Sequence, residues 1–291
     1  MAGLGGFFVG ILLAFLTEHL DRTIKTLEQL EERLGVVALG LLPFLKLKTG
    51  KQKGLTPLDY AMVHPKSAFS EAIRTLRTGV LLSSLDNPHK VILVTSSTPG
   101  EGKSTVASNL ATSLGELHKV LLIDTDLRRP TIARQMGLDD NMPGLSELVS
   151  GSLKLSDCIH KMPDSNLYVM PSGVIPPNPL ELLSSNRFAE ALEGLVKVFD
   201  HIVMDSAPTL AVSDALLLST HASGVVFVVK ADATPYPIAI NGIKRLQQSN
   251  AHVIGTVLNQ LVPQKARHAA YGYGKYGYYT GGYVDEGYTT G

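Results

Sequence analysis

Six runs of the chain are hydrophobic with little polar alternation: Val91–Thr95, Val120–Asp124, Leu167–Met170, His201–Asp205, Val225–Val229 and Val253–Leu258. Runs of this kind mark strands covered on both faces. Longer stretches with apolar residues at helical spacing separate them, which predicts right-handed crossovers and a mostly parallel sheet. The expected fold class is therefore α/β, with helices on both faces of the sheet.

Ahead of the first strand, Phe69, Ile73, Leu76 and Val80 fall at spacings of four, three and four. They make one apolar stripe on a helix predicted over Ser67–Leu82. Glu71 and Arg74 lie on the opposite face, and Arg77 lies on its flank. Residues Thr17–Leu34 also have helical spacing, and the apolar stretch VVALGLLPFL follows, closed by Pro43. A Lys/Gly-rich segment, Lys46–Pro57, reads as a linker whose positive charge suits the cytoplasmic side of an anionic membrane.

Ala2–Leu16 is uncharged and apolar all round. It is shorter than the roughly 20 residues of a spanning helix, and it lacks the flanks of a signal peptide. The expectation is the last part of a transmembrane helix, with the domain behind it in the cytoplasm at an inner membrane. At the other end, Tyr271–Gly291 holds seven of the ten tyrosines and seven glycines, with Val284 its one aliphatic residue. Such a composition cannot bury enough to offset chain entropy, so disorder is expected there. The chain thus divides into a membrane-proximal part with linker (1–57), a folded domain (58–265) and a Tyr/Gly tail (266–291).

Basic and acidic side chains number 26 each. That balance argues against a nucleic-acid partner. Cys158 is the single cysteine and reads as a small core residue in a reducing compartment.

Chemistry enters with VILVTSSTPGEGKSTVASNLA. A buried strand runs into a Gly/Pro loop, and Lys103–Ser104–Thr105 opens a helix, the context of a phosphate-binding loop. Thr98, Pro99, Gly100, Glu101, Gly102, Lys103, Ser104 and Thr105 are the expected ATP contacts. The glycines let backbone N–H groups curl toward phosphate oxygens, Lys103 reaches the β- and γ-phosphates, and the Ser104 hydroxyl ligates Mg²⁺. Ser97 stands where the strict pattern has its first glycine.

Two more strands end in acids: Asp124 and Asp126 in LLIDTDLRRP, with Arg128 beyond, and Asp205 in HIVMDSAP. Ligands in open α/β sheets bind outside the carboxyl ends of strands, so these carboxylates should converge on the loop. An Asp in such a place also serves as a helix N-cap. Beside a phosphate-binding loop, Asp205 has the position of a Walker-B acid. Eukaryotic-type kinase elements are absent from the sequence.

TPGEGKST, LLIDTDLRRP and IVMDSAP resemble the Walker A, A′ and B motifs of the bacterial tyrosine kinases, which accompany polysaccharide co-polymerases in capsule and exopolysaccharide export. EAIRTLR is similar to that family's E-x-x-R-x-x-R pattern at Glu71, Arg74 and Arg77, and SGVIPPNPLELL to its SG-x-x-PPNP-x-ELL stretch. The resemblance implies a P-loop NTPase-type sheet and ATP and Mg²⁺ as cofactors. Lys103 and Ser104 would bind them, with Asp126 and Asp205 supporting the metal. Asp124 would be the base for a tyrosine hydroxyl, and Arg128 a further catalytic residue. Asn259 is a candidate adenine contact. The resemblance further implies autophosphorylation at Tyr271, Tyr273, Tyr276, Tyr278, Tyr279, Tyr283 and Tyr288, in its own or a neighbouring tail. Glu71, Arg74 and Arg77 would then form a subunit contact in a ring. A phosphotyrosine phosphatase and the export machinery are the implied partners. Ala207 in the B motif departs from the family's D-x-PP.

The alternative is a MinD/ParA-like membrane-associated ATPase switch. It shares the fold and the acids, but its signature lysine early in the loop is missing between Ser96 and Thr98.

Overall fold

The computed structural model describes residues 21–47, 55–83 and 88–262. The strands are β1 (Ala38–Pro43), β2 (Val91–Ser96), β3 (Val120–Asp124), β4 (His160–Lys161), β5 (Leu167–Met170), β6 (His201–Asp205), β7 (Gly224–Lys230) and β8 (Val253–Leu261). They form one sheet in the order β1-β8-β7-β2-β6-β3-β5-β4, parallel except where β4 pairs β5. All six predicted strands are present, and the fold is the expected mostly parallel α/β sheet.

The helices are α1 (Leu27–Leu34), α2 (Pro57–Val63), α3 (Ala68–Leu82), α4 (Lys103–Gly115), α5 (Ile132–Gln135), α6 (Leu145–Ser150), α7 (Leu155–Cys158), α8 (Pro179–Leu183), α9 (Asn186–Val196), α10 (Asp214–Ser219) and α11 (Tyr236–Gln248). Buried strands send alternate side chains to opposite faces. Ile92, Val94, Leu122 and Val203 thus meet α3 and α4 through Ile73, Leu76, Val106 and Leu110. Leu93, Leu121, Ile202 and Phe227 meet α1, α9 and α11 through Leu30, Leu192 and Ile243. The predicted stripe of Phe69, Ile73, Leu76 and Val80 is buried on α3, and Ser67 caps that helix by accepting from Ser70 N.

Residues 21–47 correct the expected domain boundary. Instead of a helical exit and linker outside the domain, they are part of it. Residues 22–24 run extended beside the loop after β7: Tyr236 N donates to Arg22 O (2.8 Å) and Asp232 N to Ile24 O (2.9 Å). Helix α1 begins only at Leu27, where Thr26 accepts from Gln29 N, and it ends at Gly35 in the left-handed region. The stretch around Leu39–Leu42 is edge strand β1, parallel to β8. Burying Ile24, Leu30 and Leu42 offsets the cost of ordering this segment. Among the described residues, no helix is long and apolar enough to cross a membrane. The predicted membrane segment Ala2–Leu16 and the tyrosines from Tyr271 to Tyr288 lie outside the described residues.

Candidate active site

Strands β2, β3 and β6 are adjacent and parallel, and their register brings three sequence motifs to one edge. Val94 pairs with Asp205, and Asp124 pairs with the same Asp205 from the other side. The loop after β2 curls over this edge because Gly100 (φ +86°) and Gly102 (φ +91°) adopt left-handed conformations. Ser97 does not, so the departure from the strict glycine pattern costs no strain there. The loop after β6 is tied to the same strand: Thr95 Oγ1 donates to Ala207 O (3.1 Å) and Thr209 N to Ser96 O (2.8 Å). Ala207 is buried there and fits this arrangement.

Lys103, at the start of α4, donates from Nζ to Asp126 Oδ2 (2.9 Å) and to Ser104 Oγ (3.3 Å), with Asp205 Oδ1 at 3.8 Å. Burial works against its ammonium, but Asp205 and Asp126 outweigh burial and hold its pKa above the ordinary lysine value. Asp205 is fully buried, and neither of its oxygens accepts a hydrogen bond. Burial first, and Asp126 as well, push its carboxyl up, while nearby Lys103 and Ser104 pull it down. An orphaned buried carboxylate beside a serine hydroxyl and an aspartate fits a hard cation. No group of three His, Cys, Asp or Glu side chains suited to a metal occurs among the described residues.

Other predicted site residues have structural duties. Asp124 is buried with both oxygens engaged: Oδ2 accepts from Thr131 N and Ile132 N (both 2.9 Å), and Oδ1 from Asp126 N (3.2 Å). Burial and the Asp205 charge nevertheless raise its pKa. It thus fastens the loop that carries Asp126. Arg128 is clamped by Asp214 at the start of α10, Nε to Oδ2 at 2.7 Å and Nη2 to Oδ1 at 3.0 Å. Glu101 turns its buried carboxylate inward, accepting from Thr98 N (2.6 Å) and Thr234 Oγ1 (2.5 Å). Burial raises its pKa. Thr98 N–H is therefore engaged by the loop itself. Asn259 Nδ2 donates to Glu101 O (2.8 Å), so Asn259 braces the loop. Thr105 accepts at its carbonyl from Asn109, and Pro99 sits on the exposed crest of the loop.

On α3, Glu71 and Arg74 pair with each other (2.6 Å), and Arg74 also donates to Pro65 O. Arg77 reaches across to α4, donating to Ser113 O (2.8 Å) and Glu116 Oε2 (2.6 Å). Arg77 thus ties α3 to the end of α4, while Glu71 and Arg74 pair with each other. Sequence reasoning missed Asp214, Thr234 and Glu116. Each lies 39 or more positions from its partner, and no local pattern joins such residues.

Residues 89–262 match the AAA domain family. The chain is 37% identical over 214 residues to the tyrosine-protein kinase YwqD of Bacillus subtilis, covering 73% of this chain and 89% of that one. It is 29% identical to the tyrosine-protein kinase wzc of Salmonella typhimurium over 94% of its own length, but spans 40% of that relative. Among solved structures, the kinase domain of the Escherichia coli tyrosine kinase ETK superposes with a TM-score of 0.75 at 29% identity, covering 82% of this chain and 95% of that one. MinD of Pyrococcus horikoshii, solved with Mg-ADP, gives 0.52 at 24% identity over 62% of this chain and 76% of that one, a likeness of fold alone.

Proposed function

This chain belongs to the bacterial tyrosine-protein kinases, and from that premise we propose that it transfers the γ-phosphoryl group of ATP to tyrosine hydroxyls of the Tyr271–Tyr288 cluster. The observation that carries the reading is the Lys103 ammonium held on Asp126 with the unbonded carboxylate of Asp205 beside it. A triphosphate entering the loop offers Lys103 a stronger partner, so the lysine moves to phosphate and frees Asp126 Oδ2. That carboxylate then accepts the tyrosine proton, which leaves late in a loose transition state and needs no strong base. Ser104 and Asp205 would hold Mg²⁺, which would neutralise charge developing on the phosphates. Asp124 keeps the Asp126 loop in place, and Arg128 with Asp214 fixes its far side. The chain acts at a membrane, in oligomers formed through the Glu71/Arg74 face of α3, within capsule or exopolysaccharide export.

The alternative of a MinD-like switch draws on fold likeness alone and is not favoured. The test is an anti-phosphotyrosine blot of the full chain incubated with Mg-ATP, alongside Lys103→Met. Label in the unaltered chain and none in the variant is expected. ATP hydrolysis without any phosphotyrosine would favour the switch instead.

A further inference from the structure

The SGVIPPNP stretch has no part in the chemistry described so far, yet it leaves the sheet beside the site. Met170, the last residue of β5, pairs with Ile123, so Pro171 stands level with Asp124. The backbone that follows is firmly held. Pro171 O accepts from Leu145 N (2.8 Å) and Ser172 O from Ser146 N (2.9 Å). Glu147 accepts from Gly144 N (2.8 Å) with one oxygen and from Val174 N (2.9 Å) with the other. Gly173 turns the chain at φ +73°, and Asn178 caps α8 by accepting from Glu181 N.

A loop fastened this well would ordinarily hide its apolar residues. Here Val174 is 73% exposed and Ile175 56%, and Pro177 is exposed behind them. Contiguous apolar surface on a rigid loop marks a place of contact. From Ser172 to Leu180 the loop has no charged residue. The occupant must therefore be recognised by apolar and aromatic contact.

The chain itself supplies a segment of that chemistry. Tyr271–Gly291 carries seven tyrosines and only three charged residues, Lys275, Asp285 and Glu286. Glycines between the tyrosines let an extended backbone lie close to a surface. Strand β8 runs parallel to β7 and ends at Leu261, so the chain leaves on the same sheet edge as the site. The 29 residues from 263 to 291 span up to roughly 95 Å. The five strand spacings from β8 to β5 amount to about 24 Å.

We propose that Val174, Ile175, Pro176 and Pro177 form a ledge that docks the tyrosine-rich segment of this chain, seating one ring while a neighbouring tyrosine enters the site. Tyrosine rings pack on proline and β-branched surfaces without needing a charge partner. Each phosphate brings about −1.5 to −2 charges, which an uncharged apolar ledge cannot compensate. A modified segment therefore leaves and an unmodified tyrosine replaces it. The proposal rests on the kinase reading and adds to it the means of acceptor selection.

The test compares the full chain with a Val174→Ser/Ile175→Ser double variant. Two acceptors are used: a synthetic peptide of residues 271–291 and a random Glu/Tyr copolymer. Both positions are exposed, so thermal melting should be unchanged. KM for the peptide should rise about tenfold, with kcat, KM for ATP and KM for the copolymer unaltered. An unchanged peptide KM, or an equal rise for both acceptors, overturns the ledge while the kinase reading stands. So does a fall in light-scattering mass at unchanged peptide KM, which would make the loop a contact between copies. If the unaltered chain phosphorylates neither acceptor, the kinase reading fails and the ledge with it.

Discussion

The carboxylate of Asp205 faces the Lys103 ammonium across 3.8 Å and accepts no hydrogen bond of its own. Its folded-state pKa is pushed up to about 6, burial being the main cause. A carboxyl raised in this way binds protons more tightly folded than unfolded. Its contribution to stability is therefore lost as pH rises from the ordinary carboxylate range through about 6. Asp205→Asn should melt higher than the unaltered chain at pH 7.5, by about 1–2 kcal/mol once the weakened pairing with Lys103 is allowed for. The gain should vanish toward pH 4, while tail phosphorylation is abolished. Calorimetric melts across pH, with the phosphotyrosine blot, check both.

Lys103→Met removes the cation from a buried cluster holding Asp126, Asp205 and Asp124. Stripping one partner from buried charges costs about 3–5 kcal/mol. The variant should thus lose stability as well as activity at pH 8. Its deficit should shrink as pH falls to 5 and the carboxylates take up protons. A pH-independent melting temperature equal to that of the unaltered chain would show that Lys103 carries no such load.

Gly100 and Gly102 should respond differently to alanine. A Cβ at Gly100 meets open space, so the cost is the left-handed backbone, about 1 kcal/mol. At Gly102 the same atom would also collide with the Asn259 amide that braces Glu101. Gly102→Ala should weaken binding of a fluorescent ATP analogue at least tenfold more than Gly100→Ala does, read by titration.

Arg77 and Arg74 separate internal from external duty. Arg77→Ala loses two charge-assisted or carbonyl contacts to the end of α4 and should cost about 1–3 kcal/mol by denaturant unfolding. Arg74→Glu, on a half-exposed pair, should cost under about 1 kcal/mol and lower the oligomer mass by light scattering. An unchanged mass would leave Arg74 an ordinary surface residue.

Much of the fold could be read because buried parallel strands announce themselves. Val120–Asp124, Leu167–Met170 and His201–Asp205 run between the predicted ends. Strand β1 was hidden by being an edge: only part of it is buried, Gly40 interrupts it and Pro43 ends it. Two-residue β4 has no periodicity to detect. Of the helix expected over Thr17–Leu34, the described part, from residue 21, is helical from Leu27. Thr26 followed by Gln29 is the start signal, and residues 22–24 bond to 232–236 instead of continuing that helix. At the site, the motif residues were legible, since Lys103, Asp126 and Asp205 do meet. Which of them are free to act was not. Asp124, Asp126 and Arg128 stand in one motif, and only the folded chain shows Thr131 bonded to Asp124 and Asp214 to Arg128.

The pairing of the N-terminal strand with the last one has a consequence for synthesis. Thr256 on β8 bonds to Val37, 219 positions earlier, and β1 is joined to the sheet through β8 alone. At about 5–20 residues per second, β1 waits roughly 10–40 s on the ribosome for the strand that completes it. Helix α3 covers one side of β1 meanwhile, and the growing domain must be kept from borrowing a strand from another nascent chain. Assembly of the sheet is thus finished only by its final nine residues.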